Sequence, residues 1–593
     1  MTSTREFDVE SANSKSIERG RSNSIADEEK RLEAGDDVID RGRRRLEPLH
    51  TGRTHPLSKN SSRRSSRSAR SQFSYAGGDG YTYYCDNPEN DTGDASGDEE
   101  SPKSKEESAE SPSDESPSGD EKQFEVGWDG PDDSMNPKVR LSFVHKWVIV
   151  FIISSCSLCV TFASTVYTSI YIQVIPEFNT SREVATLGLS FFVCGLGLGP
   201  MLLAPLSEFY GRRPIYLVSF LFFIIWSIPC AVAQNIQTLL VTRFFGGFAG
   251  SAFLSVAGGT VGDVFAKNEL SLPMMFYTAS PFVGPEIGPL IGGFINDFAS
   301  WRWTFYTLLI WAGVELALLF CLVPETYAPV ILVQKAKKLR TETGNEKWHA
   351  PLERHERSIA RTVLVSCYRP FQLLFFEPMC LNLCILSAIL LGVLYLFFGA
   401  FPVVFEGNHG FTLWQVGLTF MGLFVGMVIA VACDPLWRRF VYMRLVRKRE
   451  AAGGEPGGTE PEFRLPPTIV GAWIVPIGLF GFGWTTYPHV HWIVPIIFSG
   501  IFALGVIWVY AGVFTFLVEC YPLYAASALA ANSFARSAFA AAFPLFGVQM
   551  YHTLGDQWAT SLLAFLALAM APFPVLFFKY GKQLRSRSTF ASA

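Results

Sequence analysis

The sequence predicts an all-α polytopic membrane protein made of two six-helix bundles behind a disordered N-terminal tail. The chain has 593 residues, and about twelve apolar runs of 18 or more residues follow position 147. Each run is long enough to cross a bilayer as a helix. The mean hydropathy is +0.24, although the first 137 residues are almost entirely polar. A polar stretch separates the first six runs from the last six, and this division predicts the two bundles.

Residues 1–137 predict a disordered cytosolic tail. They are rich in Ser, Asp, Glu, Arg and Gly and contain few large apolar side chains. Such a composition buries too little surface to offset the conformational entropy that folding removes. Its first half contains serines flanked by arginine, as in Arg63-Arg-Ser-Ser-Arg-Ser68. Serines in this setting are typical kinase targets.

The first bundle, residues 138–323, contains six predicted spans, numbered one to six along the chain. They are Trp147–Tyr171, Glu183–Pro205, Pro214–Ala233, Thr238–Phe265, Leu272–Ile295 and Trp303–Val323. A cytosolic central loop, 324–372, follows. The second bundle, residues 373–580, contains spans seven to twelve, and residues 581–593 form a cytosolic C-terminal tail. Those spans are Leu374–Phe401, Leu413–Cys433, Pro467–Trp484, Trp492–Leu517, Tyr524–Tyr551 and Trp558–Phe578.

The distribution of Lys and Arg between the connections predicts the orientation. The connections after spans two, six, eight and twelve are basic, whereas the opposite connections carry little beyond Arg182 and Arg302. Because basic connections remain in the cytosol, we expect both termini and the central loop there. The sequon Asn179-Thr-Ser181 then lies outside, where Asn179 is a candidate for glycosylation.

Span five carries two special faces on one helix. Gly284, Gly288 and Gly292 fall on one stripe at helical spacing, and prolines fall on a second stripe about 100° away. The glycines let another backbone approach closely. The prolines at 281, 285 and 289 remove amide donors from carbonyl groups one turn earlier and should bend the helix. Those carbonyl groups belong to Tyr277, Pro281 and Pro285.

The same helix holds Glu286, an ionisable group at mid-depth in the membrane. Desolvation at that depth disfavours the charged form of a carboxylate. The bend of this helix, its close partner and its buried acid together predict a moving helix with a site that binds and releases a proton. The alternative role for Glu286 is a purely structural hydrogen bond to span one or two.

Arg243 in span four and Arg536 in span eleven are basic groups inside spans, and Asn532 lies one turn before Arg536. Charged residues in spans are costly unless they face water or a partner. The alternative for Arg243 is snorkelling towards the outer surface, and that for Arg536 is a cap on freed backbone carbonyls. Two further sets of residues have an ambiguous role. One is Glu315 in span six. The other is a set of aromatic residues that either line a cavity or only contribute to packing, namely Tyr167, Tyr171, Tyr395 and Phe398.

Several separated motifs resemble one transporter family. Ala204-Pro-Leu-Ser-Glu-Phe-Tyr-Gly-Arg-Arg213 resembles the loop signature G-x-x-x-D-R-x-G-R-R of the major facilitator superfamily, with departures at Ala204, Glu208 and Phe209. The segment 243–251 resembles the family's span-four motif, whose Arg is associated with proton coupling. The segment 284–293, which includes Pro285 and Pro289, resembles the span-five motif of antiporters. Segments 324–340 and 524–536 resemble the fungal twelve-span drug:proton antiporters, which include polyamine and multidrug exporters.

This resemblance implies a major facilitator fold and a proton-coupled antiporter that exports drugs, toxins or organic cations by alternating access. It associates Arg243 with proton coupling, and from their positions inside the spans we assign proton coupling and the substrate cavity to Glu286, Arg536 and Asn532 as well. It assigns a latch between the bundles on the cytosolic side to Glu208, Arg212, Arg213 and Asp263. The substrates would be amphipathic or cationic small molecules, and a proton gradient would supply the energy without a cofactor or metal. We expect a monomer without a nucleic-acid partner in the plasma membrane, with the vacuolar membrane as the alternative.

Other functions are weighed against this one. A dedicated exporter of one endogenous secondary metabolite or organic acid would share every motif. A membrane sensor that no longer transports is disfavoured by the mid-membrane acid and the intact glycine pattern. An ATP-driven pump is disfavoured because the chain contains no G-x-x-x-x-G-K-[ST] motif. An enzyme is not expected, because the nine His residues lie mostly in loops or the tail.

Overall fold

The computed structural model describes residues 124–129, 133–266, 269–354, 359–453, 460–588 and 590–591. Ten helices in this part of the chain are long and apolar enough to cross a membrane. One of them, Pro522–Arg585, is 64 residues long and is broken at Gly555, where φ is 76°, so it supplies spans eleven and twelve. The helix Ser271–Phe298 supplies span five, although its prolines and glycines make it less apolar. The described residues thus contain the twelve predicted spans.

The helices of the first bundle run close to their predicted bounds. Span one is Phe143–Thr165, continued by a 3-10 turn, Val166–Ile170, and by Tyr171–Glu177. A short helix, Pro137–Arg140, precedes it. Span four is divided into three pieces. The remaining bounds are Arg182–Tyr210 for span two, Arg212–Ala231 for span three, Ile236–Gly250, Ala252–Ser255 and Ala257–Val264 for span four, Ser271–Phe298 for span five, and Arg302–Leu322 for span six.

The second bundle departs from prediction at span eight, which is predicted to end at Cys433. The helix instead continues there through a π-helical turn, Arg438–Tyr442, to Ala451. The observed bounds are Pro378–His409 for span seven, Leu413–Thr419, Met421–Ala432, Asp434–Trp437 and Met443–Ala451 for span eight, Pro461–Arg464 and Leu465–Gly483 for span nine, Ile493–Cys520 for span ten, and Pro522–Tyr524, Ala525–Met570 and Pro572–Arg585 for spans eleven and twelve.

The central loop is helical. It contains Ala328–Thr343, Pro351–Arg354 and Ile359–Phe376, and the last of these leads directly into span seven. The described end of the predicted tail also packs. Val126 donates a backbone hydrogen bond of 2.9 Å to His349, and Lys335 pairs with Asp129 and Asp133 at 2.7 and 2.6 Å. The boundary of the folded part therefore lies before residue 137, and residues 1–123 lie outside the described part.

Two pairs of spans bring the backbones of the two bundles close together. Span two packs against span eleven, where Ser190 Oγ donates a 2.6 Å hydrogen bond to the carbonyl oxygen of Ala541. Span five packs against span eight, where a β-carbon on Gly293 would lie 2.9 Å from the carbonyl oxygen of Leu413. Such backbone approaches need small residues. Both contacts bring the bundles close enough to enclose the side chains between them.

Connections predicted on one side of the membrane contact each other. On the predicted cytosolic side, Arg464 at the start of span nine pairs with Glu519 at the end of span ten at 2.8 Å. On the opposite side, Arg302 pairs with Glu177 at 2.8 Å, so the outer ends of spans one and six meet. The structure therefore has the alternation of span directions that the sequence predicts.

Candidate functional site

The glycine stripe of span five packs against span one. A β-carbon on Gly284 would lie 2.8 Å from the carbonyl oxygen of Leu158, and one on Gly288 would lie 2.8 Å from the backbone nitrogen of Val166. A β-carbon on Gly292 would lie 2.7 Å from Ser169 Oγ. Real β-carbons do not approach other atoms so closely. The two backbones therefore touch at Gly284 and Gly288, and the Ser169 side chain fits against Gly292, because the glycines are present. The close partner expected for this face is span one.

Two of the carbonyl oxygens that lose an amide donor because of the prolines accept a hydrogen bond from a hydroxyl group instead. Ser280 Oγ donates to the carbonyl oxygen of Tyr277 at 2.8 Å. Thr165 Oγ1, from span one, donates to the carbonyl oxygen of Pro285 at 2.9 Å. Neighbouring Ser and Thr side chains are one way in which membrane helices tolerate proline. Span five therefore keeps a continuous helix despite three internal prolines.

Glu286 lies in this helix and is 1% exposed. Neither of its carboxylate oxygens has a hydrogen-bond partner among the described residues. The structural hydrogen bond considered as its alternative role is therefore not present in this conformation. A buried carboxyl group without a partner is costly when ionised, so the geometry suits a group that exchanges a proton or a ligand.

Arg243 lies in span four and does not snorkel. It is 2% exposed, and its guanidinium donates to the carbonyl oxygens of Ala163 at 2.6 Å, Ser164 at 2.9 Å and Gly188 at 3.2 Å. The guanidinium also lies over the ring of Phe192 at 4.2 Å. Its donors therefore tie span four to the backbones of spans one and two, which is a positioning role in this conformation.

Arg536 in span eleven has different surroundings. Its guanidinium lies 4.7 Å from the ring centroid of Phe514 and 5.3 Å from that of Tyr510, and its buried Nε has no partner in the described residues. It does not cap a backbone carbonyl, so that alternative is not realised. Asn532 donates from Nδ2 to Ser387 Oγ at 3.2 Å, which ties span eleven to span seven, while its buried Oδ1 has no partner among the residues described.

Tyr395 of span seven connects the two bundles. Its hydroxyl shares a 3.2 Å hydrogen bond with Ser164 Oγ of span one, and the carbonyl oxygen of Ser164 accepts from Arg243 at 2.9 Å. Tyr395 therefore lies at the bundle interface, beside a residue that Arg243 binds. The aromatic pattern of the sequence placed Tyr395 only as one of several rings with an ambiguous role.

Two aromatic residues of the site were missed by sequence reasoning. Tyr510 stacks on Phe282 of span five, with ring centroids 5.2 Å apart, and its hydroxyl donates to the carbonyl oxygen of Ser387 at 3.2 Å. These rings bring spans five, seven and ten together beside Arg536. A signal existed, since Tyr510 is the single tyrosine of a mostly apolar span, but its facing neighbours follow only from packing.

At the cytosolic end, the structure brings Arg212 and Asp263 together. Arg212 Nε lies 3.3 Å from Asp263 Oδ2, and Arg212 Nη1 donates to Ser207 Oγ at 2.7 Å. Arg213 points away, with Nη2 donating to the carbonyl oxygen of Phe320 at 2.9 Å. Glu208 is half-buried nearby in sequence, at the end of span two.

Sequence reasoning missed Glu325 in this cluster. Its carboxylate accepts the backbone N–H groups of Arg212 at 2.9 Å and Arg213 at 3.1 Å, at the N-terminus of span three, where an anion is favoured. These contacts join spans two, three and four to the segment after span six. They therefore tie the first bundle to the start of the central loop, and the latch between the bundles that the resemblance implies stays a prediction.

The outer side of the bundle interface contains an open cavity of about 470 Å³. Spans one, five, seven and eight line it with polar groups that include Gln173, Asn296, Asp297, Glu406 and Thr412. Asn179 lies nearby in sequence, exposed in the turn before span two, with φ at 45°. Asn tolerates this left-handed conformation better than most residues, and its glycosylation stays a prediction.

Comparisons with known proteins agree with this architecture. A family model described as Major Facilitator Superfamily matches residues 153–544. The chain is 56% identical to the "Efflux pump atB" of Aspergillus terreus over 80% of this chain and 91% of that protein. It is 40% identical to the "Probable drug/proton antiporter YHK8" of Saccharomyces cerevisiae over 76% and 87% of the two chains. A solved structure of the xylose transporter XylE from E. coli matches with a TM-score of 0.51 at 17% identity, over 74% of this chain and 99% of that one; it shows the fold alone.

Proposed function

The chain belongs to the major facilitator superfamily, and from that premise we propose that it is a multi-pass efflux transporter that exchanges protons for a small-molecule substrate. Its relatives carry the names of efflux pumps and of a drug/proton antiporter, which supports export as the direction of transport. The plasma membrane is the proposed location. The two bundles would alternate access to a site at mid-membrane, as in transporters built from two related halves.

The observation that carries proton coupling is the state of Glu286. It is 1% exposed, and both of its oxygens lack a hydrogen-bond partner in the described structure. Two acids at the ends of spans four and ten are engaged, since Asp263 pairs with Arg212 and Glu519 pairs with Arg464. Among these three acids, only Glu286 has both carboxylate oxygens available for a proton or a ligand.

The proposed cycle uses Glu286 for both ligands in turn. When the site opens to the cytosol, the acid loses its proton and its carboxylate attracts a cationic or amphipathic substrate. The pairing neutralises the charge and lowers the cost of turning the site outward through the membrane. A proton from outside then displaces the substrate, and the neutral acid returns inward. Because proton and substrate compete for one group, binding of either weakens binding of the other.

Span five provides the moving element for this cycle. Its glycine stripe places no side chains of its own between span five and span one, and Gly293 and Gly417 let it approach span eight in the other bundle. Motion of span five relative to either neighbour would change what Glu286 faces. The aromatic rings of Phe282 and Tyr510, beside Arg536, form a wall on which a planar apolar part of the substrate would stack.

Purified protein in proteoliposomes tests the coupling. A fluorescent organic cation should accumulate against its gradient when a pH gradient is imposed without ATP, and a protonophore should abolish this accumulation. Transport that requires ATP and ignores the protonophore would refute antiport. Growth of a pump-deleted strain on structurally different toxins then measures substrate breadth. Protection against a single compound would indicate a dedicated exporter instead of a multidrug one.

A further inference from the structure

We propose that Ser588 is a phosphorylation site whose modification releases the C-terminal segment from the cytosolic ends of the second bundle. The segment comprises residues 586–588 together with Phe590 and Ala591, after the end of span twelve at Arg585. Its contacts connect it to the start of span seven and to the turn between spans ten and eleven. None of these contacts takes part in the proposed transport site.

A buried carboxylate holds the segment. Ser588 Oγ donates a 2.7 Å hydrogen bond to Glu377 Oε1, and the hydroxyl of Tyr521 donates to Glu377 Oε2 at 3.2 Å. Glu377 is 4% exposed and lies between the helix Ile359–Phe376 and span seven. A buried carboxylate is stable only with donors around it. The position beside Glu377 therefore suits the neutral hydroxyl donor of Ser588.

The residues after Ser588 fold back onto the bundle. Ser588 Oγ accepts the backbone N–H groups of Phe590 at 3.1 Å and Ala591 at 2.9 Å. This turn directs the ring of Phe590 against Tyr524, edge to face, with ring centroids 5.4 Å apart. The single hydroxyl of Ser588 thus organises both the polar and the apolar part of the docked segment.

The local sequence is that of a substrate for kinases that recognise basic residues before the target serine. It reads Arg585-Ser-Arg-Ser588, with arginine three and one positions before Ser588. Ser588 itself is half-buried, and Arg585 is engaged by Glu462 at 2.9 Å. A kinase therefore reaches the serine only when the last helical turn opens, and helix ends open at low free-energy cost.

The chemical step consumes a nucleoside triphosphate. The hydroxyl oxygen of Ser588 attacks the γ-phosphorus of ATP, the bond from that phosphorus to the bridging oxygen breaks, and ADP leaves with the bond's electrons. The hydroxyl proton passes to the base of the kinase. The product carries about −1.5 to −2 charge at neutral pH.

The phosphorylated residue does not fit the position beside Glu377. It has lost the hydroxyl proton that it donated to Glu377, and its charge has the same sign as that carboxylate. Like charges next to each other in a buried position repel strongly. The kinase therefore captures the released segment, and phosphorylation shifts the population towards the open form. The contacts of the segment with Glu377 and Tyr524 are lost with it.

Full-length purified protein, treated with ATP and the catalytic subunit of a basophilic kinase, provides the test. Mass spectrometry should find phosphate on Ser588, and hydrogen exchange of the peptide that contains Phe590 and Ala591 should rise at least tenfold in the modified protein. Absence of phosphate on Ser588 would refute the site. Phosphate on Ser588 with unchanged protection of that peptide would refute the release.

Two variants separate release from modification. Ser588→Asp should lose the same protection without any kinase, and Glu377→Gln, which keeps the shape of the acceptor but weakens it, should speed phosphorylation of Ser588 several-fold. Ser586 is the matched control, since it is exposed and its hydroxyl donates only to the carbonyl oxygen of Gln583 at 3.0 Å. Ser586→Asp should leave the protection unchanged. If Ser588→Asp and Ser586→Asp behaved alike, the proposed role of Ser588 would fail.

Discussion

The hydroxyl of Thr165 in span one donates a 2.9 Å hydrogen bond to the carbonyl oxygen of Pro285 in span five. Pro289, one turn later, has no N–H to offer this carbonyl. The bond therefore replaces a helical hydrogen bond with a contact between two spans. Because Pro285 directly precedes Glu286, the bond also links the position of the buried acid to span one.

Thr165→Val should weaken this link. The substitution keeps the shape of the side chain but leaves a buried carbonyl without its donor, which we expect to cost about 1–2 kcal/mol. Thermal unfolding of the purified protein in detergent measures the loss. Thr165→Ser keeps the hydroxyl and is the control. Equal melting temperatures for the two variants would contradict the assigned role.

Gly288→Ala should impair both folding and transport. A β-carbon would lie 2.8 Å from the backbone nitrogen of Val166, so the two backbones must separate, at about 1–3 kcal/mol. Gly313→Ala in span six is the matched control, because a β-carbon there meets nothing within 4 Å. Thermal unfolding and substrate flux of both variants should differ clearly, with Gly313→Ala close to the unaltered protein.

Glu286→Gln should abolish uphill export of cations while leaving the fold intact. The amide imitates the protonated acid, so the variant cannot alternate between its two ligands. Flux in proteoliposomes under an imposed pH gradient measures the effect, and downhill exchange of neutral substrates should persist. Export of a cation against its gradient at the normal rate would remove Glu286 from the coupling site.

Glu315→Gln is the control for that experiment. Glu315 is also buried, at 5% exposure, but its carboxylate accepts from Ser155 and, at 3.1 Å, from Trp311 Nε1. Its replacement should lower thermal stability because donors lose part of their acceptor, yet coupling should remain. Loss of coupling in both variants would show that any buried acid of the first bundle is required.

Asp263→Asn should destabilise the protein. The side chains of Arg212 and Asp263 are only 5% and 16% exposed, and removing one charge of a buried pair costs about 3–5 kcal/mol. Lys338→Gln is the control, since Lys338 and its partner Glu342 are 67% and 55% exposed, and such pairs contribute about 0.5 kcal/mol or less. Denaturation of both variants in detergent checks the difference. Similar losses would contradict a buried cluster.

Docking of residues 124–129 and Asp133 on the central loop should depend on pH. The Lys335 side chain, then the amides of Met135 and Asp129, lower the pKa of Asp133 from 3.8 to about 2. Burial alone would lower the pKa of Lys335, but its bonds to Asp129 and Asp133 outweigh it and raise the pKa above 10.5. Because docking lowers the pKa of Asp133, the contribution of Asp133 to docking is complete above pH 3.8 and is lost as the pH falls through about 2. Because docking raises the pKa of Lys335, the contribution of Lys335 is complete below pH 10.5.

Hydrogen exchange of the peptide that contains Val126 should therefore show constant protection between those limits and loss of protection near pH 2, after correction for intrinsic exchange rates. Lys335→Gln should lose protection across the whole range. Protection in Lys335→Gln equal to that of the unaltered protein would show that the apolar contacts of this segment suffice.

Part of the site follows from local sequence patterns alone. The spacing of Gly284, Gly288 and Gly292 predicts a close backbone partner because helical periodicity places them on one stripe. The mid-span position of Glu286 predicts a group with a special role because burying a charge is costly. Neither pattern identifies span one as the partner of the glycines or shows that Glu286 lacks a hydrogen-bond partner among the described residues. Those facts depend on which helices meet, which local periodicity does not contain.

The sequence by itself determined the twelve spans, their alternating directions and the division into two bundles, because bilayer thickness and the placement of Lys and Arg act on each segment separately. Only the tertiary structure decided that Arg243 donates to three carbonyl groups and that Arg536 lies on aromatic rings. It also decided that Glu325 and Glu377 anchor the cytosolic ends of the spans. These roles arise from side chains up to hundreds of positions apart, such as Ser164 and Tyr395. Their contacts follow from the packing of whole helices, and no short stretch of sequence specifies them.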